Sequence, residues 1–166
     1  MCDQENLDRY YFMIERNDFS KRYRFSDWPN NDIPLITAGL YVIWENRQLV
    51  YCGMSGREIE KYKFSNSKKK YGLINRLNSH ASGRLSGDQF CVYVANRIVI
   101  PSLDPHMLEQ FRDGTMNLDR LTKQYVRDRL EYQYALVESS AAAFAAEKLC
   151  RDGTVFGVKP YLNPLN

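Results

Sequence analysis

The sequence predicts a mixed α/β domain: a small central antiparallel sheet of three strands or slightly more, flanked by helices. Three observations predict it. Two runs rich in β-branched and aromatic residues, 39–44 and 49–53, are joined by polar Glu45-Asn46-Arg47-Gln48, which is the pattern of a β-hairpin. Segments 72–81, 117–129 and 139–150 repeat apolar residues at helical spacing, so helices punctuate the strands. A chain of 166 residues is long enough to bury one core of its own.

Residues 1–38 mix aromatic and charged groups without a clean period, and Trp28-Pro29-Asn30-Asn31-Asp32 reads as a loop leading into the first strand. This segment is expected to be an extension packed on the core, with the domain proper at 39–166. In the hairpin, a turn centred on Asn46 sets Tyr41 directly opposite Tyr51, on one face of the sheet. A slip of one residue separates them. Residues 57–71 form a long, basic, polar loop. A short helix follows, with Leu73, Ile74, Leu77 and Ala81 on its apolar stripe and Gly83 placed to end it. Arg76 and His80 stand four apart, so they emerge as neighbours at the edge of that stripe.

Phe90-Cys91-Val92-Tyr93-Val94 is expected as a third strand. Asn117 caps a helix running to Arg129, with Leu118, Leu121 and Tyr125 at helical spacing. The alternation of Tyr132 and Tyr134 favours a strand over 131–137. Ser139 or Ser140 caps a last helix through Cys150 that buries Ala141, Phe144, Ala145 and Leu149. Glu147 falls beside that stripe, Asp152-Gly153 ends the helix, and 159–164 make an ordered tail.

Composition narrows the class. Hydrophobic residues at 44% and charged residues at 26% are the balance of a folded soluble protein. No apolar run approaches the ~20 residues that span a bilayer, and the acidic start has no signal-peptide pattern, so a cytoplasmic protein without a membrane is expected. Cys2, Cys52, Cys91 and Cys150 form no Cys-x-x-Cys pair, which argues against a zinc site or a disulfide framework. The net charge is only +3, yet residues 57–84 hold eight Lys or Arg against two Glu. A charge run of this kind is usually a solvated loop, and it also suits nucleic-acid phosphates.

Gly39-Leu40-Tyr41 followed by Tyr51-Cys52-Gly53, with the tyrosines ten positions apart, resembles the two-part signature of the GIY-YIG nucleases. The rest of that family's pattern follows in order: Arg76 on the next helix, Glu147 on a later one, and Asn163 shortly after Pro160. His80 matches a histidine of some restriction-type members. The resemblance runs from Gly39 to Asn163. Cys52 replaces the usual aliphatic residue, and the stretches 53–76 and 94–131 are longer than in compact members.

The resemblance implies a GIY-YIG nuclease-like fold and a metal-dependent DNA endonuclease, serving restriction, phage defence or DNA processing. It implies catalytic roles for Tyr41, Tyr51, Arg76, His80, Glu147 and Asn163. Glu147 would hold Mg²⁺ or Mn²⁺ with water and substrate phosphate completing the shell, and Arg76 would meet phosphate oxygens with its planar fork. Tyr41 would be the general base toward water, with His80 accepting its proton, and Tyr51 would position the water or phosphate. The two tyrosines can exchange roles. Lys68, Lys69, Lys70, Ser82 and Arg84 are the candidate contacts to DNA phosphates, made by a monomer or a homodimer on the substrate. The competing expectation is a nucleic-acid-binding module that keeps the fold and does not cut.

Overall fold

The structure, a computed structural model, describes residues 14–63 and 69–163. Four strands lie side by side, each antiparallel to its neighbours: β1 (Tyr23–Arg24), β5 (Glu131–Val137), β2 (Ile36–Glu45) and β3 (Gln48–Ser55). A two-residue β4 (Tyr71–Gly72) runs parallel to the start of β2. Among the described residues the α-helices are α1 (Leu73–Ser82), α2 (Gln89–Val94), α3 (Pro105–Arg112), α4 (Leu118–Arg129) and α5 (Ser140–Asp152). None of them is long and apolar enough to cross a membrane.

The sheet buries both faces, and the two-residue period of its strands sorts the side chains between them. Tyr41 and Ile43 of β2, with Tyr132 and Tyr134 of β5, join Leu73, Leu77 and Ala81 of α1, Phe90 and Val94 of α2 and Val126 of α4. Leu40, Val42, Cys52 and Ala135 face the other way, against Ala146 and Cys150 of α5 and Phe156. The segment before β2 takes part in both layers, Phe25, Trp28 and Ile33 in the first and Phe19 in the second.

The hairpin departs from the expected register, and the departure matters. Its turn is the two residues Asn46-Arg47, with Asn46 at φ 53°, a conformation Asn accepts more readily than most residues. Continued unbroken, that turn would set Cys52 opposite Tyr41 and send Tyr51 to the other face. An irregularity between Ile43 and Trp44 skips Val50, so that Ile43 pairs Tyr51 and Tyr41 pairs Gly53. One extra residue restores Tyr51 to the face of Tyr41. The tyrosines are therefore diagonal, not opposite, with ring centroids 6.3 Å apart and planes 29° from parallel.

Phe90–Val94 is helix α2, not a strand. Its β-prone residues yield to tertiary packing: Phe90, Cys91 and Val94 are buried at helical spacing, and Asp88 caps the first turn by accepting from the Cys91 amide at 3.1 Å. The last helix keeps its expected place, capped by Ser139 through the Ala142 amide at 3.1 Å. Its buried stripe is Ala142, Ala143, Ala145, Ala146, Leu149 and Cys150. Ala141 lies outside it, and Phe144 is 64% exposed. With five alanines and a phenylalanine in one run, composition alone does not set the phase of that stripe.

Candidate active site

Helix α1 and the hairpin build one wall of a cleft of about 550 Å³. Tyr41 from β2, Tyr51 from β3, Arg76 and His80 from α1 and Glu147 from α5 all line it. These five are sequence-expected site residues, and four separate elements bring them together. Ser55, Arg57, Tyr71, Asn75, Ser79 and Gln89 add further polar groups to its lining.

Burial of Leu73, Leu77 and Ala81 turns α1 so that His80 points inward at 2% exposure, while Arg76, one turn earlier, stays exposed at the mouth. His80 Nε2 lies 2.9 Å from the Tyr41 hydroxyl, and its Nδ1 lies 2.7 Å from Asp88 Oδ2. Tyr41 is itself 2% exposed. Burial, and secondarily Tyr51, drive its phenol well above the usual value of 10 despite the nearby Arg76, so Tyr41 rests protonated at neutral pH. Burial lowers His80 below the ordinary 6.5, against the pull of Asp88 in the other direction. It rests neutral.

Burial acts to raise the Asp88 carboxyl as well, yet the hydrogen bonds from His80, Ser79 and the Cys91 amide bring it down to about 2. Ser79 Oγ donates to Asp88 Oδ2 at 2.6 Å. Asp88 is not among the site residues expected from the sequence. An Asp three residues before Cys91 has helix-capping spacing, a signal that the β-prone composition of 90–94 masks.

Glu147 reaches the cleft beside Met54 of β3. Burial raises that carboxyl above 4.5, with Arg151, Arg57 and Arg76 opposing the rise. Burial, and next Glu147, push the Tyr51 phenol far above its usual value, so Tyr51 also stays a hydrogen-bond donor. No group of three or more His, Cys, Asp or Glu side chains suited to a metal occurs among the described residues. One hard carboxylate on an open cleft matches the way Mg²⁺ is held, with water and phosphate oxygens supplying the remaining ligands.

The other expected site residues lie elsewhere. Asn163 is outside the cleft lining and buried, with both polar atoms spent on one backbone position: its Oδ1 accepts from the Cys52 amide at 2.8 Å and its Nδ2 donates to the Cys52 carbonyl at 2.9 Å. Together with Leu162 N–H to Val50 O at 2.8 Å, it staples the tail along β3 beside Tyr51. Ser82 closes the end of α1, donating to Ser79 O at 2.6 Å and accepting from the Arg84 amide. Arg84 is exposed away from the cleft lining. Lys69 and Lys70 are exposed next to β4, and Lys68 lies outside the described residues. Among the described residues, the cations that line the cleft are Arg57 and Arg76.

Comparison of the chain with protein-family models, curated proteins and solved structures returns no match. What the site can do therefore rests on its own geometry: a buried phenol, imidazole and carboxylate in sequence, two guanidiniums, and a separate carboxylate facing one cleft.

Proposed function

We propose that this chain is a phosphodiester-cleaving DNA endonuclease with a cleft of the GIY-YIG kind. The observation that carries the reading is that Tyr41, Tyr51, Arg76, His80 and Glu147 share one cleft although they come from four elements. Chance gathering of five residues drawn from an ordered motif is a poor account of that arrangement.

Phosphodiester hydrolysis needs a deprotonated oxygen, charge neutralisation around phosphorus and help for the leaving oxygen. Arg57 and Arg76 offer guanidinium forks to the phosphate oxygens. Tyr41 is too deeply buried to stand as a phenolate, so it works as a relay. As water attacks phosphorus, the water proton passes to the Tyr41 oxygen and the Tyr41 proton passes to His80 Nε2. Tyr51, a phenol at the cleft wall, donates a hydrogen bond that orients the water or a phosphate oxygen. Glu147 is the residue that would hold Mg²⁺ or Mn²⁺, and the ion when bound supplies Lewis-acid stabilisation of the leaving oxygen.

The test is incubation of the purified protein with supercoiled plasmid and with end-labelled single-stranded DNA, in Mg²⁺, Mn²⁺ or EDTA. The expected result is cutting with either metal and none in EDTA. Binding of DNA without cutting of either substrate would replace this reading with that of a binding module.

A further inference from the structure

We infer that Asp88 is a positioning residue for the proposed reaction: it locks His80 in the tautomer protonated on Nδ1 and thereby keeps Nε2 free to take the Tyr41 proton. The inference rests on the nuclease reading of the cleft, and its test separates the two.

Donors and acceptors fix the tautomer. An ionised carboxylate only accepts, so the 2.7 Å contact between Asp88 Oδ2 and His80 Nδ1 requires the proton on Nδ1. A neutral imidazole has one N–H, so Nε2 carries a lone pair, and the Tyr41 hydroxyl at 2.9 Å is its donor. The opposite tautomer would set a lone pair against a carboxylate between residues 2% and 1% exposed, where water cannot relieve the repulsion. It would also aim an N–H at the Tyr41 oxygen and leave the phenolic proton without this acceptor.

The carboxylate is itself held from three sides. Oδ1 caps α2 through the Cys91 amide, while Oδ2 accepts from Ser79 Oγ and His80. The remaining groups that face His80 are Tyr41, Tyr51 and Phe90 rings, Arg76 on its own helix, and the Cys91 thiol, which donates to the His80 carbonyl at 3.7 Å. When Nε2 takes the proton, the imidazolium forms against the Asp88 carboxylate, and Arg76 opposes it. Asp88 both sets the direction of transfer and stabilises its product.

The experiment uses Asp88→Asn with nitrogen NMR of the histidine rings and single-turnover cleavage of plasmid DNA. Asn keeps an oxygen for the Cys91 amide, so the α2 cap survives. Its NH₂ then faces His80 Nδ1, which must become an acceptor, and the ring proton moves to Nε2. The expected result is that tautomer exchange, with maximal cleavage rate down by 10² to about 10⁴-fold and DNA affinity unchanged. In the native protein the spectrum itself should show Nδ1 protonated, and the reverse assignment overturns the inference whether or not the variant folds. An Asp88→Asn protein that cuts at the native rate, or that loses activity with its tautomer unchanged, also overturns it. Tautomer exchange in a protein whose native form does not cut would remove the nuclease reading alone.

Discussion

Gly53 stands directly opposite Tyr41 across the β2–β3 ladder, and a Cβ built on Gly53 would fall on the Tyr41 hydroxyl. The missing side chain is the space that the phenol occupies while it reaches His80 Nε2. Gly53→Ala is therefore expected to displace Tyr41. Overpacking of this kind costs about 1–3 kcal/mol, and a misplacement of about 1 Å in a catalytic group costs on the order of 10²-fold in rate. Thermal melts and cleavage kinetics of the variant check this. An unshifted melt with native cutting would show that Tyr41 does not need the space.

Asn163→Ala separates support from chemistry. Both polar atoms of Asn163 are on the Cys52 backbone, and each buried group left unpaired costs about 1–3 kcal/mol. Denaturant unfolding should record a loss of that size. The maximal cutting rate should fall far less than in Arg76→Ala, where removal of a preorganised phosphate donor costs about 10²–10³-fold. A rate loss equal to that of Arg76→Ala with no loss of stability would return Asn163 to a direct role.

How much of this was legible in the sequence depended on the kind of information each element carries. The hairpin, α1, α4 and β5 followed from local pattern, because their periods and caps are written in consecutive residues. The bulge at Val50 was not, since it reflects how two strands fit a three-dimensional face and leaves no mark in composition. The helix at Gln89–Val94 was misread for the same reason: packing of Phe90, Cys91 and Val94 overrode their β propensity. Five residues of an ordered motif, Tyr41, Tyr51, Arg76, His80 and Glu147, line one cleft, Asn163 of the same motif does not, and Asp88, known by what it touches, carried no such pattern.

Acid should destabilise the protein in two stages. His80 is lowered below 6.5 in the fold, so its contribution is present above that pH and is lost as pH falls through its folded value. Asp88 is lowered from 3.8 to about 2, so its contribution is present above about 4 and is lost as pH falls toward 2. The second stage amounts to about 2 kcal/mol. Equilibrium unfolding against pH checks the account, and Asp88→Asn should remove the lower stage. Stability that rises as pH falls from 7 to 5 would contradict it.

The proposed reaction needs His80 with an empty Nε2, so its rate should rise with pH along an acid limb whose midpoint lies below 6.5, on the depressed side of an ordinary histidine. A pH–rate profile of the native protein under single-turnover conditions measures that midpoint. A limb centred well above 6.5 would show that another group, not His80, accepts the proton.

Water, not Tyr41, is the attacking group in this account. Tyr41 is 2% exposed and its hydroxyl is engaged with His80. Cutting of internally labelled DNA followed by denaturing electrophoresis should therefore leave no label on the protein. Label that stays with the native chain and vanishes in Tyr41→Phe would mean a phosphotyrosine intermediate.

Whether this cleft cuts DNA is decided by plasmid cleavage in Mg²⁺ by the native protein, Glu147→Ala and Arg76→Ala, each first shown to be folded and to bind DNA. Cutting by the native protein and a loss of at least about 10²-fold in both variants are expected. Native-rate cutting by either variant would contradict the assignment of this cleft as the active site.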